Sequence, residues 1–173
     1  RVSIVHVRVE PAENTRAFRA AVARAVAAID APSADRSVFV EAGGLRLHAV
    51  VEAPGAARAD GQAGRRARPA LLALHGFTGS AESMATVAHA LAPFARVACL
   101  DLVGHGGSDA PHAPEPYAMD ACAQQIADAA RALGLGRPHL LGYSMGGRAA
   151  LAAAIARPDA FASLVLVGAT AGL

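Results

Sequence analysis

The chain has 173 residues, 54% of them apolar and only 4% aromatic, with a net charge of +2. That length suits one domain with a sizeable core, and with Trp absent the core must come from Leu, Val, Ile and Ala. The basic residues are scattered apart from Arg65, Arg66 and Arg68, which argues against a nucleic-acid face. No apolar run reaches the roughly 18 residues of a membrane span.

Cys99 and Cys122 are too few for a disulfide framework and read as small core residues in a reducing compartment. The amino end shows no signal-peptide pattern. The expectation is a soluble cytoplasmic protein, cut at its start because it begins with Arg1.

Residues 2–9, VSIVHVRV, alternate and are β-branched, which predicts a strand. Residues 14–29 follow with Phe18, Val22, Val26 and Ile29 at helical spacing and Asn14 as N-cap. Residues 31–36 read as a linker, dividing a segment 1–30 from a domain 37–173. Two strands, 38–41 and 45–52, flank the hairpin signal Gly43-Gly44, and residues 54–69 form a long Gly/Ala/Arg/Pro loop. A regular alternation then begins: strand 71–74, helix 82–92, strand 97–100, helix 118–133, strand 139–141, helix 145–156, strand 164–167. Met119, Cys122, Ile126, Ala130 and Leu133 line one face of the 118–133 helix, and Gly134 stops it. Short, wholly apolar strands alternating with helices indicate an α/β fold, a mostly parallel sheet covered on both faces.

Gly142-Tyr143-Ser144-Met145-Gly146 fits G-x-S-x-G between an apolar strand and an Ala-rich helix. A nucleophile elbow needs such a strand-to-helix turn, which presents the serine at a helix N-terminus where developing negative charge is favoured. His75-Gly76-Phe77-Thr78-Gly79 follows an earlier strand. The oxyanion donors expected for such an elbow are the N–H of Met145, after the nucleophile, and an N–H of this loop, assigned to Phe77. His75 either packs structurally or lines the site, and the structural role is favoured.

A third motif runs from Asp101 through His105 and Ser108 to Asp109. Its Asp and His are not triad members, because in this type of site the acid and histidine follow the serine along the chain. Asp101 and Asp109 read instead as residues that bond loop amides. After Ser144 the one acid is Asp159, read as a surface turn residue, and no histidine follows His139. The base that would activate Ser144 is therefore missing from these 173 residues.

HGFTGSAESM, DLVGHGGSD, MDACAQQIADAARALGL and HLLGYSMGGRAAL together resemble the α/β-hydrolase superfamily, and within it the SHCHC synthases of menaquinone biosynthesis. Those enzymes make 2-succinyl-6-hydroxy-2,4-cyclohexadiene-1-carboxylate by eliminating pyruvate. The resemblance covers about residues 37–173, the amino-terminal part of such an enzyme, before its cap and last strands. Val103 departs from the family's usual proline, Met84 from its common aromatic, and the 54–69 loop is long. By this resemblance Arg148 binds a substrate carboxylate, a role suited to a bidentate guanidinium, and Tyr143, His75 and Thr78 complete the candidate substrate-binding set.

The segment IVHVRVEPAENTRAFRAAVARAV is similar to the closing strand and helix of SEPHCHC synthase, the preceding pathway enzyme. Such a tail joined to such a head is what a fragment across a bifunctional fusion looks like. The resemblance implies a carbon–oxygen lyase acting on a small anionic substrate through Ser144, with no metal or cofactor and no nucleic-acid or membrane partner. A generic serine esterase shares the elbow but needs no Arg148. A non-catalytic piece is the third reading, since the missing triad members leave the isolated chain without triad chemistry. A truncated sheet would also leave an open edge.

Overall fold

A computed structural model of the chain describes residues 3–6, 36–52 and 68–169. The strands are β1 (Ser3–His6), β2 (Arg36–Ala42), β3 (Leu45–Val51), β4 (Ala70–Leu74), β5 (Arg96–Leu100), β6 (His139–Tyr143) and β7 (Ser163–Val167). The helices are α1 (Ala85–Leu91), α2 (Met119–Ala132) and α3 (Met145–Ala156). The helix expected at 14–29, the linker at 31–35 and residues 53–67 of the long loop lie outside the described residues.

The seven strands form one sheet in the order β1-β7-β6-β4-β5-β3-β2. β2 and β3 are antiparallel, as are β3 and β5, and every other neighbouring pair is parallel. The β2–β3 hairpin turns through Gly43 and Gly44, both at positive φ (59° and 76°), the backbone that a two-residue hairpin matching the strand twist requires.

Alternation along β4 sends Leu72 and Leu74 to one face and Leu71 and Ala73 to the other. The first face packs against Ile126, Ala129 and Ala130 of α2 and Ala149, Ala150 and Ala153 of α3, closed by Phe161. The second packs with Val97 and Cys99 against Ala81, Met84 and Ala88 beside α1. Ala-rich helices approach the sheet closely because they carry almost no side-chain bulk, and this accounts for a core so poor in aromatics.

Two expectations need correction. The helix expected at 82–92 opens with a 3-10 turn, Glu82–Met84, before α1. The buried face of α2 is Ala123, Gln125, Ile126, Ala129 and Ala130. Met119 is 48% exposed and Cys122 only half-buried, so the apolar stripe sits rotated from the one read at Met119 and Cys122. On the outer side of β7, β1 runs parallel to it with Ser3 opposite Ser163, so β1 is the edge strand at this end of the sheet.

Candidate active site

β4 is flanked by β5 on one side and β6 on the other, so successive connections leave it in opposite directions. The carboxyl ends of strands at such a reversal point open a crevice where ligands bind in α/β sheets. The loop His75–Gly79 leaves β4 there, and the turn at Ser144 leaves β6 beside it.

Ser144 has φ 51° and ψ −114°, and it is the one non-glycine residue with positive φ among the described residues. Such a backbone costs on the order of 1–3 kcal/mol and persists only where its surroundings impose it. The surroundings are three glycines in close packing. A Cβ on Gly146 would stand 2.6 Å from the Leu74 carbonyl oxygen and closer still to that of His75. One on Gly142 would stand 2.5 Å from Gly147 Cα, and one on Gly147 would collide with Ala169. The Ser144 N–H donates to the Val167 carbonyl (2.9 Å), and its own carbonyl accepts from Gly147 (3.0 Å) and Arg148 (3.3 Å). Ser144 is thereby fixed as the residue that opens α3.

The loop after β4 reaches this turn. A Cβ on Gly76 would lie 3.0 Å from the Tyr143 ring and 3.6 Å from Ser144 Cβ, so the glycine lets the loop lie against the elbow without displacing the Tyr143 ring. Phe77 and Thr78 are exposed beyond it, and Tyr143 is half-exposed. Arg148 is exposed in the first turn of α3 and makes no ion pair among the described residues.

His75 does not belong with the substrate-binding candidates. It is fully buried; its Nδ1–H donates to the Gly76 carbonyl (2.7 Å) and its Nε2 accepts from the Leu102 N–H (3.1 Å). Burial, opposed in part by the bond to Gly76, holds its pKa below the ordinary 6.5, so the neutral ring suits its place. It is a buried strut between two loops.

The loop 101–109 carries structural bonds, as its Asp residues foretell. Asp101 accepts from the N–H groups of Ala81 and Gly107, and Asp109 from that of Arg46 (2.8 Å). His105 was missed in the sequence reading: its ring nitrogens face the carbonyls of Phe77 (2.7 Å) and Val103 (3.0 Å), tying this loop to the one after β4. Also missed was the contact of Asp101 with His48 (2.7 Å), from a strand read only as part of a hairpin.

Asp159 is exposed in the turn after α3, a helix of 12 residues or about 18 Å, and so lies far from Ser144. It lines a separate cleft of about 580 Å³ with Gln124, Arg131, Arg137 and Arg157. No histidine bonds Ser144 Oγ among the described residues. Nor do they hold a group of three His, Cys, Asp or Glu side chains placed to bind a metal, or a helix long and apolar enough to cross a membrane.

Residues 69–172 match the family model of the α/β-hydrolase fold. The chain belongs to the α/β-hydrolase family. It is 38% identical over 110 residues to a Bacillus subtilis (strain 168) protein provisionally named 2-succinyl-6-hydroxy-2,4-cyclohexadiene-1-carboxylate synthase, a match covering 64% of this chain and 40% of that one. It is 34% identical over 162 residues to epoxide hydrolase 4 of Mus musculus, covering 91% of this chain and 41% of the relative. Among solved structures, an epoxide hydrolase from an endophytic Streptomyces superposes with a TM-score of 0.65 at 29% identity, over 76% of this α/β-hydrolase chain and 36% of that one. The chain spans about 40% of the length of the curated relatives it matches.

Proposed function

We propose that the chain is the nucleophile-bearing part of an SHCHC synthase, a lyase that eliminates pyruvate from the SEPHCHC intermediate of menaquinone biosynthesis. The observation that carries the reading is an exposed Arg148, without an ion pair among the described residues, one turn after a strained elbow serine, in a chain similar to the Bacillus subtilis protein. The substrate is a small polyanion, and a guanidinium beside the reacting centre holds a carboxylate through two parallel bonds.

In this mechanism Ser144 Oγ, once relieved of its proton by a histidine, takes a proton from the ring carbon. The electron pair moves to form the enolate, which collapses as the ring carbon–oxygen bond breaks, and the departing enolpyruvate takes up the abstracted proton to become pyruvate. The Phe77 and Met145 N–H groups stabilise the developing oxyanion, each worth typically 10²–10³-fold. Tyr143 and Thr78 line the substrate's approach. The histidine and acid of the triad lie outside residues 1–173 in this reading. No metal or cofactor takes part. Residues 1–30 correspond to the tail of a SEPHCHC synthase-like domain fused through 31–36, whose residues 3–6 add an edge strand to the hydrolase sheet, and the enzyme works in the cytoplasm.

The test is pyruvate release from the pathway intermediate by the complete polypeptide. Ser144→Ala should lower kcat by about 10⁴-fold or more, and undiminished turnover would refute the role of Ser144. The likeness to epoxide hydrolase 4 favours a second reading, a hydrolase using the same elbow on an uncharged substrate. Arg148→Ala separates the two. It should raise KM for the anionic substrate by about 10- to 100-fold, the worth of a charge-assisted bond, and leave hydrolysis of a neutral ester unchanged.

A further inference from the structure

Away from the elbow, the sheet assembles a second serine with the partners that Ser144 lacks among the described residues. β3 and β5 pair with Ala49 opposite Leu100, which brings His48 opposite Asp101 at the next position. β2 and β3 pair with Phe39 opposite His48, so Ser37, two residues before Phe39, shares the His48 face. Asp101 Oδ2 lies 2.7 Å from His48 Nδ1, and His48 Nε2 lies 2.8 Å from Ser37 Oγ.

The proton positions follow from the donors and acceptors. The Asp101 carboxylate is buried and accepts from Ala81, Gly107 and His48, so Nδ1 carries the imidazole proton. Nε2 is left as an acceptor, and the Ser37 hydroxyl donates to it. This is the bonding order by which a serine is activated in serine hydrolases: hydroxyl to Nε2, Nδ1–H to carboxylate. The His48 side chain is 13% exposed and that of Asp101 2%, while Ser37 is open to solvent. By contrast the exposed Ser83 spends its hydroxyl proton on the Ser80 carbonyl (2.6 Å), which is no base.

We propose that Ser37 is a second nucleophile of this chain, assisted by His48 as general base and open to acylation by small activated aryl esters. Phe39, 44% exposed on the same face with the Arg46 guanidinium 3.6 Å over its ring, makes a mixed apolar and cationic patch against which an aryl ester can lie. A strand serine lacks the strand-to-helix turn of an elbow, so the acyl group must bring its own activation. In the step, Ser37 Oγ bonds to the acyl carbon as its proton passes to His48 Nε2. The bond from that carbon to the aryloxide oxygen breaks, and the aryloxide leaves as the phenol, taking the proton from His48.

The chain is suited to the test because its 16 basic residues are all arginine, so no lysine competes for the acyl group. Cys99 is buried, and burial, with Asp120 nearby, pushes the Cys122 thiol up. The 173-residue chain carrying Ser144→Ala is treated with 4-nitrophenyl acetate, and the acetylated residue is located by peptide mass spectrometry. Acetylation of Ser37 should run about 10²-fold faster than that of Ser83 and fall by about 10²-fold in His48→Gln, the usual worth of a general base. Ser37→Ala, a change at an exposed position, should abolish the fast nitrophenol release with an unchanged circular dichroism spectrum. Equal rates at Ser37 and Ser83, or fast release that survives Ser37→Ala, would overturn the proposal. Both readouts stand even if His48→Gln does not fold.

Discussion

Ser144 and Ser37 divide between them what a fully equipped nucleophilic serine has in one place. At Ser144 the backbone supplies everything: a strained turn, glycines that admit close neighbours, and the N-terminus of α3. No side chain among the described residues takes its proton. At Ser37 the backbone is ordinary strand, and the side chains of His48 and Asp101 supply the relay. Positioning and proton transfer are thus separable products of this fold. The first comes from local turn chemistry, the second from strand register.

The comparison can be broken most forcefully at Asp101. Asp101→Ala removes the acceptor of two loop amides and of His48, and should cost about 3–5 kcal/mol in urea unfolding. A loss under about 1 kcal/mol would mean that the buried carboxylate does not hold the cluster together.

Next in size is Gly146→Ala, which drives a methyl group into the carbonyls of Leu74 and His75. It should cost about 1–3 kcal/mol while leaving acetylation of Ser37 at its original rate. Parallel loss at both serines would show that the two regions are not independent.

The smallest effect is a pH dependence. The folded-state pKa of His75 is lowered below 6.5, so the unfolded chain binds more protons in the interval between the two values. The stability His75 contributes is complete above about pH 6.5, declines as pH falls towards the lowered folded value, and levels off below it. The slope should reach at most about 1.4 kcal/mol per pH unit and should vanish in His75→Gln, as read by unfolding midpoints across pH 4–8.

The elbow was legible because its signal is local. Strand, glycine-flanked serine and helix lie within some twenty residues, and α3 falls at residues 145–156 as the pattern indicates. The alternation of the other strands and helices was legible for the same reason. The His48–Asp101 contact was not, because it joins residues 53 apart through a register that no pattern within either strand encodes. Periodicity also misplaced the face of α2. Met119 and Cys122 have helical spacing, but small Ala123 and Ala129 fit the closely approaching sheet, and Gln125 is buried there because its amide reaches the Pro116 carbonyl (2.9 Å).

The pairing of β1 with β7 bears on how the chain comes to be folded during synthesis. Ser163 is synthesised 160 residues after Ser3, its partner across the sheet. At about 5–20 residues per second, β1 waits roughly ten to thirty seconds for its partner. Through that interval the hairpin of β2 and β3 can close, and β4 can meet β5, while β1 remains a lone strand with unpaired amides. β7 is therefore covered by a strand made earlier than any other in the sheet, and a chaperone that shelters that strand would act at residues 3–6.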